Sequence, residues 1–128
     1  KYVQTDKLIF LSGHGPKKST GEDITGKVGD GTSIEQGYDA ARACAIQLLS
    51  TLKDATGGDL KKVKRIVKVL GMVNCTPDFT DQPKVMNGCS DLLVAVFGEK
   101  GKHARSAVGM NALPNNIVVE IEMIVEIE

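Results

Sequence analysis

Residues 118–128 read Val-Val-Glu-Ile-Glu-Met-Ile-Val-Glu-Ile-Glu, and no other segment restricts the fold as tightly. In an extended chain successive side chains point to opposite faces. Val119, Ile121, Met123, Val125 and Ile127 therefore share one face, while Glu120, Glu122, Glu126 and Glu128 share the other with Val118 and Ile124. Such a strand needs an apolar layer on one side only. A slip of one residue would drive the glutamates into that layer, so the register is strongly specified.

Two segments of helical period can supply the layer. The first carries Ile34, Tyr38, Ala41, Ala45, Leu48, Leu49 and Leu52 and stops at Gly57-Gly58. Thr32-Ser33-Ile34-Glu35 at its start has the form of a capping box running from Thr32 to Glu35. The second carries Val85, Met86, Cys89, Leu92, Leu93, Val96 and Phe97, opens at Thr80-Asp81-Gln82-Pro83 and ends at Gly98. The remaining apolar segments have strand character. Leu8-Ile9-Phe10-Leu11 reads as a hairpin strand emptying into a tight loop, Ser12-Gly13-His14-Gly15-Pro16. Residues 17–31 read as loop with one edge strand near 26–28. Residues 63–73 form a central strand whose second half is buried on both faces, 105–109 a short strand, and 111–116 a turn holding Leu113-Pro114. This order predicts an α+β fold: one domain over residues 1–128, with a single mixed sheet and both helices on one of its faces. The other face meets water or another subunit. There the acids of the last strand complement Lys61, Lys62, Lys64, Arg65 and Lys68 of the central one.

With no Trp, two Tyr and three Phe, the core must be built from Val, Ile, Leu, Met and Ala. Sixteen basic and sixteen acidic residues cancel, which removes the positive field that non-specific nucleic-acid binding uses. Cys44, Cys75 and Cys89 are odd in number and lack a C-x-x-C spacing, so reduced thiols and a cytoplasmic setting are expected, without a zinc site. No apolar run approaches the roughly 20 residues of a membrane-spanning helix. Lys1 stands where an initiating Met would, so the natural N-terminus is expected upstream, with organelle targeting left open.

Arg105 lies where the late strand begins, in His103-Ala104-Arg105-Ser106, beside the small residues Ala107 and Gly109 that would leave space around it. A guanidinium there can grip a carboxylate or phosphate bidentately, although by residue type alone an ion pair with a neighbouring Glu is the commoner role. Glu120 is the acid of the last strand nearest the Leu113-Pro114 turn, the one best placed to approach Arg105 and to orient water. The glycines around His14 could bring backbone amides near an anion. His14 and His103 are the only histidines; neither has a metal-ligand partner at useful spacing, and His14 reads as a surface loop residue.

Taken together, Ser12-Gly13 after an apolar strand, Asn87, Ala104-Arg105-Ser106, Val108, Leu113-Pro114 and Val119-Glu120-Ile121-Glu122 resemble the YjgF/RidA family of reactive intermediate deaminases, which also carry the label L-PSP endoribonuclease. The resemblance implies a chorismate-mutase-like fold, a homotrimer with ligand clefts between subunits, and no metal or cofactor. It implies a small carboxylate-bearing imine or enamine as substrate. Arg105 would anchor the carboxylate, the Gly13 backbone would assist, Ser12 would shape the pocket together with His14 and Ala107, and Glu120 would place water. The chain departs from the commoner family pattern at His14, at His103, where members often have Pro, and at Ala107, where some have Cys. Three functions follow as expectations: hydrolysis of amino-acid-derived imines, an endoribonuclease or RNA-binding role, and non-catalytic binding of a small carboxylate.

Overall fold

A computed structural model describes residues 1–128. Five strands form the main sheet: β1 (Tyr2–Thr5), β2 (Leu8–His14), β5 (Val63–Asn74), β6 (Ala104–Met110) and β7 (Val119–Ile127), in the order β1-β2-β7-β5-β6. Only β5 and β6 run parallel, which makes the sheet mixed. β3 (Lys27–Val28) and β4 (Gly31–Thr32) form a separate two-stranded ribbon, so the strand expected near 26–28 lies outside the main sheet. Helices α1 (Ile34–Ala55) and α2 (Gln82–Phe97) pack together over one face, as the order of periodicities predicts. No helix is long and apolar enough to cross a membrane.

The core lies between helices and sheet. Val119, Ile121, Met123 and Val125 of β7 are all buried, against Ile9 and Leu11 of β2, Ile66, Val69 and Val73 of β5, and Ala41, Leu48, Met86 and Leu93 of the helices. Ile127 is only half-buried, and Val118, just before the strand, is buried rather than on the acidic face. Along β5, Leu70 and Met72 stay half-exposed in this chain, so burial on both faces does not hold. Lys61 and Lys62 fall in a 3-10 turn before β5. Of the basic cluster only Lys64 reaches an acid, Glu126 at 3.9 Å, while Lys68 donates to Ser106 Oγ at 3.1 Å.

Two local details differ from expectation for clear reasons. Thr32 is held in β4 by pairing with Val28, so the first free capping residue is Ser33. Its Oγ accepts from the Gln36 amide at 3.1 Å and its own amide donates to Gln36 Oε1 at 2.8 Å. The second detail is in β2, which runs on through Ser12-Gly13-His14 instead of ending at Leu11. Leu11 pairs with Met123 and His14 with Ile121, so Ser12 and Gly13 together oppose the single residue Glu122. This is a β-bulge, and it shifts the alternation of β2 by one residue.

The helices cross closely because small residues meet there. A Cβ on Gly88 would overlap the Tyr38 carbonyl, and one on Gly37 would sit 3.0 Å from Val85 Cγ2. α2 then ends at Gly98, whose φ of 63° is the left-handed value that stops a helix. A Gly88→Ala variant is expected to lose about 1–3 kcal/mol of stability, because backbone rather than a flexible side chain must move. Urea denaturation with an unchanged m-value would register it as a lower midpoint.

Candidate functional site

The bulge decides where the first candidates go. Without it, His14 would face the same way as Ser12; with it, His14 faces the helices and is buried. Nδ1–H donates to the Ser12 carbonyl at 2.6 Å, and Nε2 accepts from the buried Thr51 hydroxyl of α1 at 2.8 Å. The Cys44 thiol closes the arrangement by donating to the His14 carbonyl at 2.9 Å. His14 is thus a sheet-to-helix tie, not the surface loop residue that its glycine-rich surroundings suggest. Burial holds its pKa below the ordinary 6.5, with the Ser12 bond opposing and the cationic Lys1 adding to the effect.

Gly13 faces the opposite, open side of the sheet against Glu120. A Cβ there would overlap the Glu120 carboxylate, so the glycine is what lets that acid lie across the bulge. Ser12 is exposed beside them, its amide and hydroxyl both donating to the Lys1 carbonyl at 2.9 and 3.0 Å. Glu120 is half-buried and its row continues through Met72 to Val108, all on the open face.

Arg105 belongs to the other face. It pairs with Val69, whose own partner is Met123, and both of these are buried under the helices. Its Nη1 donates to Asn87 Oδ1 at 3.0 Å and to Ser90 Oγ at 3.1 Å, two α2 residues one turn apart. Both hydrogens of Nη1 are thereby used, and Nε and Nη2 keep three donors free for a planar anion. The four ion pairs of the chain are Lys17–Asp23, Lys64–Glu126, Lys84–Asp81 and Lys102–Glu99. Arg105 therefore has no carboxylate partner, and the ion pair weighed for it with a neighbouring Glu is not formed.

The structure brings Ser12, Gly13 and Glu120 together and, separately, Arg105 with Asn87 and Ser90. It does not bring Glu120 to Arg105: they lie two strands apart and point to opposite faces. Nor do Ala107 and Gly109 leave open space. Ala107 is half-buried against the core, and a Cβ on Gly109 would lie 2.8 Å from both Cys75 Sγ and Gln82 Nε2. Small residues here let α2 approach β6. Nothing in the sequence alone marks Ser90 as part of the group beyond its spacing of three from Asn87, which puts both on one face of α2.

His103 completes the Arg105 group. Its Nδ1 bonds the Gly101 carbonyl at 2.6 Å and its Nε2 the Ser90 hydroxyl at 2.9 Å. Burial again lowers its pKa from 6.5, with Gly101 opposing and Arg105 reinforcing the shift. The nearby Cys89 thiol is pushed up to about 12 by burial despite the Arg105 charge, so it serves as a packed small hydrophobe, not a nucleophile. No three of the His, Cys, Asp and Glu residues converge as a metal-binding group.

Both histidines have folded pKa values below the unfolded one, so each contributes stability that is complete above 6.5 and is lost as pH falls below it. Thermal unfolding is expected at lower temperature at about pH 5.5 than at about pH 7.5. A His14→Gln variant is less stable at the higher pH and loses less on acidification.

Comparison with known proteins adds relatives to this geometry. A family model described as "YjgF/chorismate mutase-like, putative endoribonuclease" matches residues 2–127. Protein TCP17 of Trypanosoma cruzi is 45% identical over 127 residues, which is 98% of this chain and 79% of that protein. The crystal structure of Atu1372 from Agrobacterium tumefaciens, a protein of unknown function, is 42% identical with a TM-score of 0.97, over 99% of this chain and 82% of its own. A "putative endoribonuclease" from Shewanella oneidensis is 28% identical with a TM-score of 0.93, over 98% of this chain and 83% of its own.

Proposed function

This chain belongs to the YjgF/chorismate mutase-like family, and on that premise we propose that it hydrolyses small imine or enamine intermediates derived from amino acids, of the 2-aminoacrylate type, to a 2-keto acid and ammonia. The observation that carries this reading is Arg105: a half-buried guanidinium fixed through one nitrogen by neutral acceptors, with no acid to neutralise it and its bidentate edge free. A carboxylate is the ligand that such an edge fits.

Arg105 and Glu120 act on one substrate only if they come from different chains, since within one chain they face opposite sides of the sheet. We therefore assign the cleft to a subunit boundary of a homotrimer. Support for association comes from the uncovered face, where Val3 is 69%, Val108 42% and Phe10 41% exposed, and from β6, which is an open sheet edge. In this assembly Arg105 of one subunit holds the substrate carboxylate. Glu120 and the Gly13 backbone of a neighbour line the other wall.

The chemistry asks little of the protein. The enamine first takes a proton at carbon and gives one up from nitrogen to become the imine. Water then adds to the C=N carbon: the new C–O bond forms as Glu120 accepts a proton, and the C=N electron pair moves to nitrogen, which is protonated. Collapse of the carbinolamine breaks the C–N bond and releases ammonia as the hydroxyl proton leaves to form the keto group. Orientation against a fixed anion clamp accounts for the acceleration.

Ser12 lines this cleft in the proposal, Ala107 serves it only by packing on the core beneath α2, and His14 serves it only by holding the bulge. The second reading, RNA cleavage or binding, has behind it the description of the Shewanella relative. It is the weaker one because the basic cluster of Lys61, Lys62, Lys64, Arg65 and Lys68 has no interleaved aromatics on which bases could stack, and the net charge is zero.

Incubation with freshly generated 2-aminoacrylate, following keto-acid formation, tests the proposal. Arg105→Ala is expected to lower kcat/KM by about 100-fold and Arg105→Lys, which keeps charge but not the fork, by about tenfold. Equal rates for wild type, Arg105→Ala and buffer would eliminate the deaminase reading, and salt-dependent RNA cleavage in the same preparation would favour the second. Light scattering tests the assembly: a trimer mass is expected, reduced to that of a monomer by Val108→Asp, with Tm falling as protein is diluted.

A further inference from the structure

The group around Arg105 contains a hydrogen-bond chain whose polarity is fixed at one end. The Gly101 carbonyl can only accept, so His103 Nδ1 carries a proton. In the neutral ring Nε2 is then an acceptor, and the Ser90 hydroxyl must donate to it. With its hydrogen committed there, the Ser90 oxygen presents its lone pairs to Arg105 Nη1–H. Each donor in this row has one acceptor, and Asn87 Oδ1 takes the second Nη1 hydrogen. Without His103 the Ser90 hydroxyl, on a helix, is free to turn its hydrogen back toward the carbonyl one turn earlier.

We infer that His103 is a positioning residue for Arg105, acting through Ser90 to hold the guanidinium in the one orientation that leaves its Nε and Nη2 edge open to a carboxylate. No short motif points to this part for His103, because Ser90 and His103 lie 13 residues apart and meet only in the fold. The imidazole is within reach of Arg105 electrostatically but touches it only through the hydroxyl. Its effect is therefore one of geometry. The inference rests on Arg105 being an anion anchor.

Nitrogen-15 spectra give a readout that needs no ligand, because the chain has three arginines, Arg42, Arg65 and Arg105, and two histidines. Wild type is expected to show distinct, slowly exchanging Nη1 hydrogens for Arg105 and an unprotonated Nε2 for His103. His103→Ala and Ser90→Ala should each merge the Arg105 signals, and the double variant should do no more than either single one, since they break the same chain. His103→Gln, whose amide oxygen can accept from Ser90, should restore the separation and guards against a mere folding defect. Persistence of distinct signals in His103→Ala, or effects of the two single variants that multiply, would overturn the inference. Titration with pyruvate separates it from the anchor reading. His103→Ala is expected to bind about fivefold more weakly, the loss of about one hydrogen bond. If pyruvate binding requires Arg105 but is untouched in His103→Ala, positioning is refuted and the anchor stands. If wild type fails to bind pyruvate, the anchor falls while the guanidinium spectra still decide the positioning.

Discussion

β7 hydrogen-bonds to β2 along one side and to β5 along the other, so the alternation of this one strand sets the register of the whole sheet. Its four fully apolar inward positions fill the space beneath both helices, and its glutamates can only face away. Moving it by one residue would bury carboxylates with no partner, a cost larger than any local preference of its neighbours. The strands beside it adjust instead. β2 does so through the Ser12-Gly13 bulge, which brings His14 inward to tie the sheet to α1 and leaves Gly13 beneath Glu120. A single inserted residue thus turns His14 to the helix face and leaves Gly13 on the open face against Glu120.

Lys27 and Lys68 are also half-buried and held by neutral oxygens, so what sets Arg105 apart is the planar fork of its guanidinium. A half-buried cation held by an amide and a hydroxyl is oriented but not neutralised, since neutral acceptors supply directional bonds without a compensating charge. The guanidinium is left with both a fixed plane and an unmet demand for an anion. Glu120 could meet that demand in a different fold, but here β5 and the sheet plane intervene. That separation keeps the two charges from cancelling within one chain.

Much of the fold could be read from the sequence because its signals are local and repeated. The helical spacings of Ala41, Ala45, Leu48 and Leu52 and of Val85, Met86, Cys89 and Leu93 each occur several times over, and every one of these residues is buried. Terminal details were less legible. Thr32 and Ser33 are both sound capping residues, and only the pairing of Thr32 with Val28 selects the second. A glycine on either side makes His14 look like a loop residue, whereas the bulge that absorbs Gly13 depends on pairing with a strand more than a hundred residues away.

The sequence by itself determined the α+β class, the one-sided sheet, and the residue types Arg105, Gly13 and Glu120 on which the family resemblance turns, because periodicity and side-chain chemistry are properties of neighbours along the chain. Only the tertiary structure decided that Arg105 stands free of any acid, that Ser90 and His103 orient it, that Ala107 and Gly109 admit a helix rather than a ligand, and that Glu120 faces the other way. Those facts depend on strand order and on a one-residue shift of register, which are fixed by burial of the whole apolar face at once and leave no mark on any short stretch of sequence.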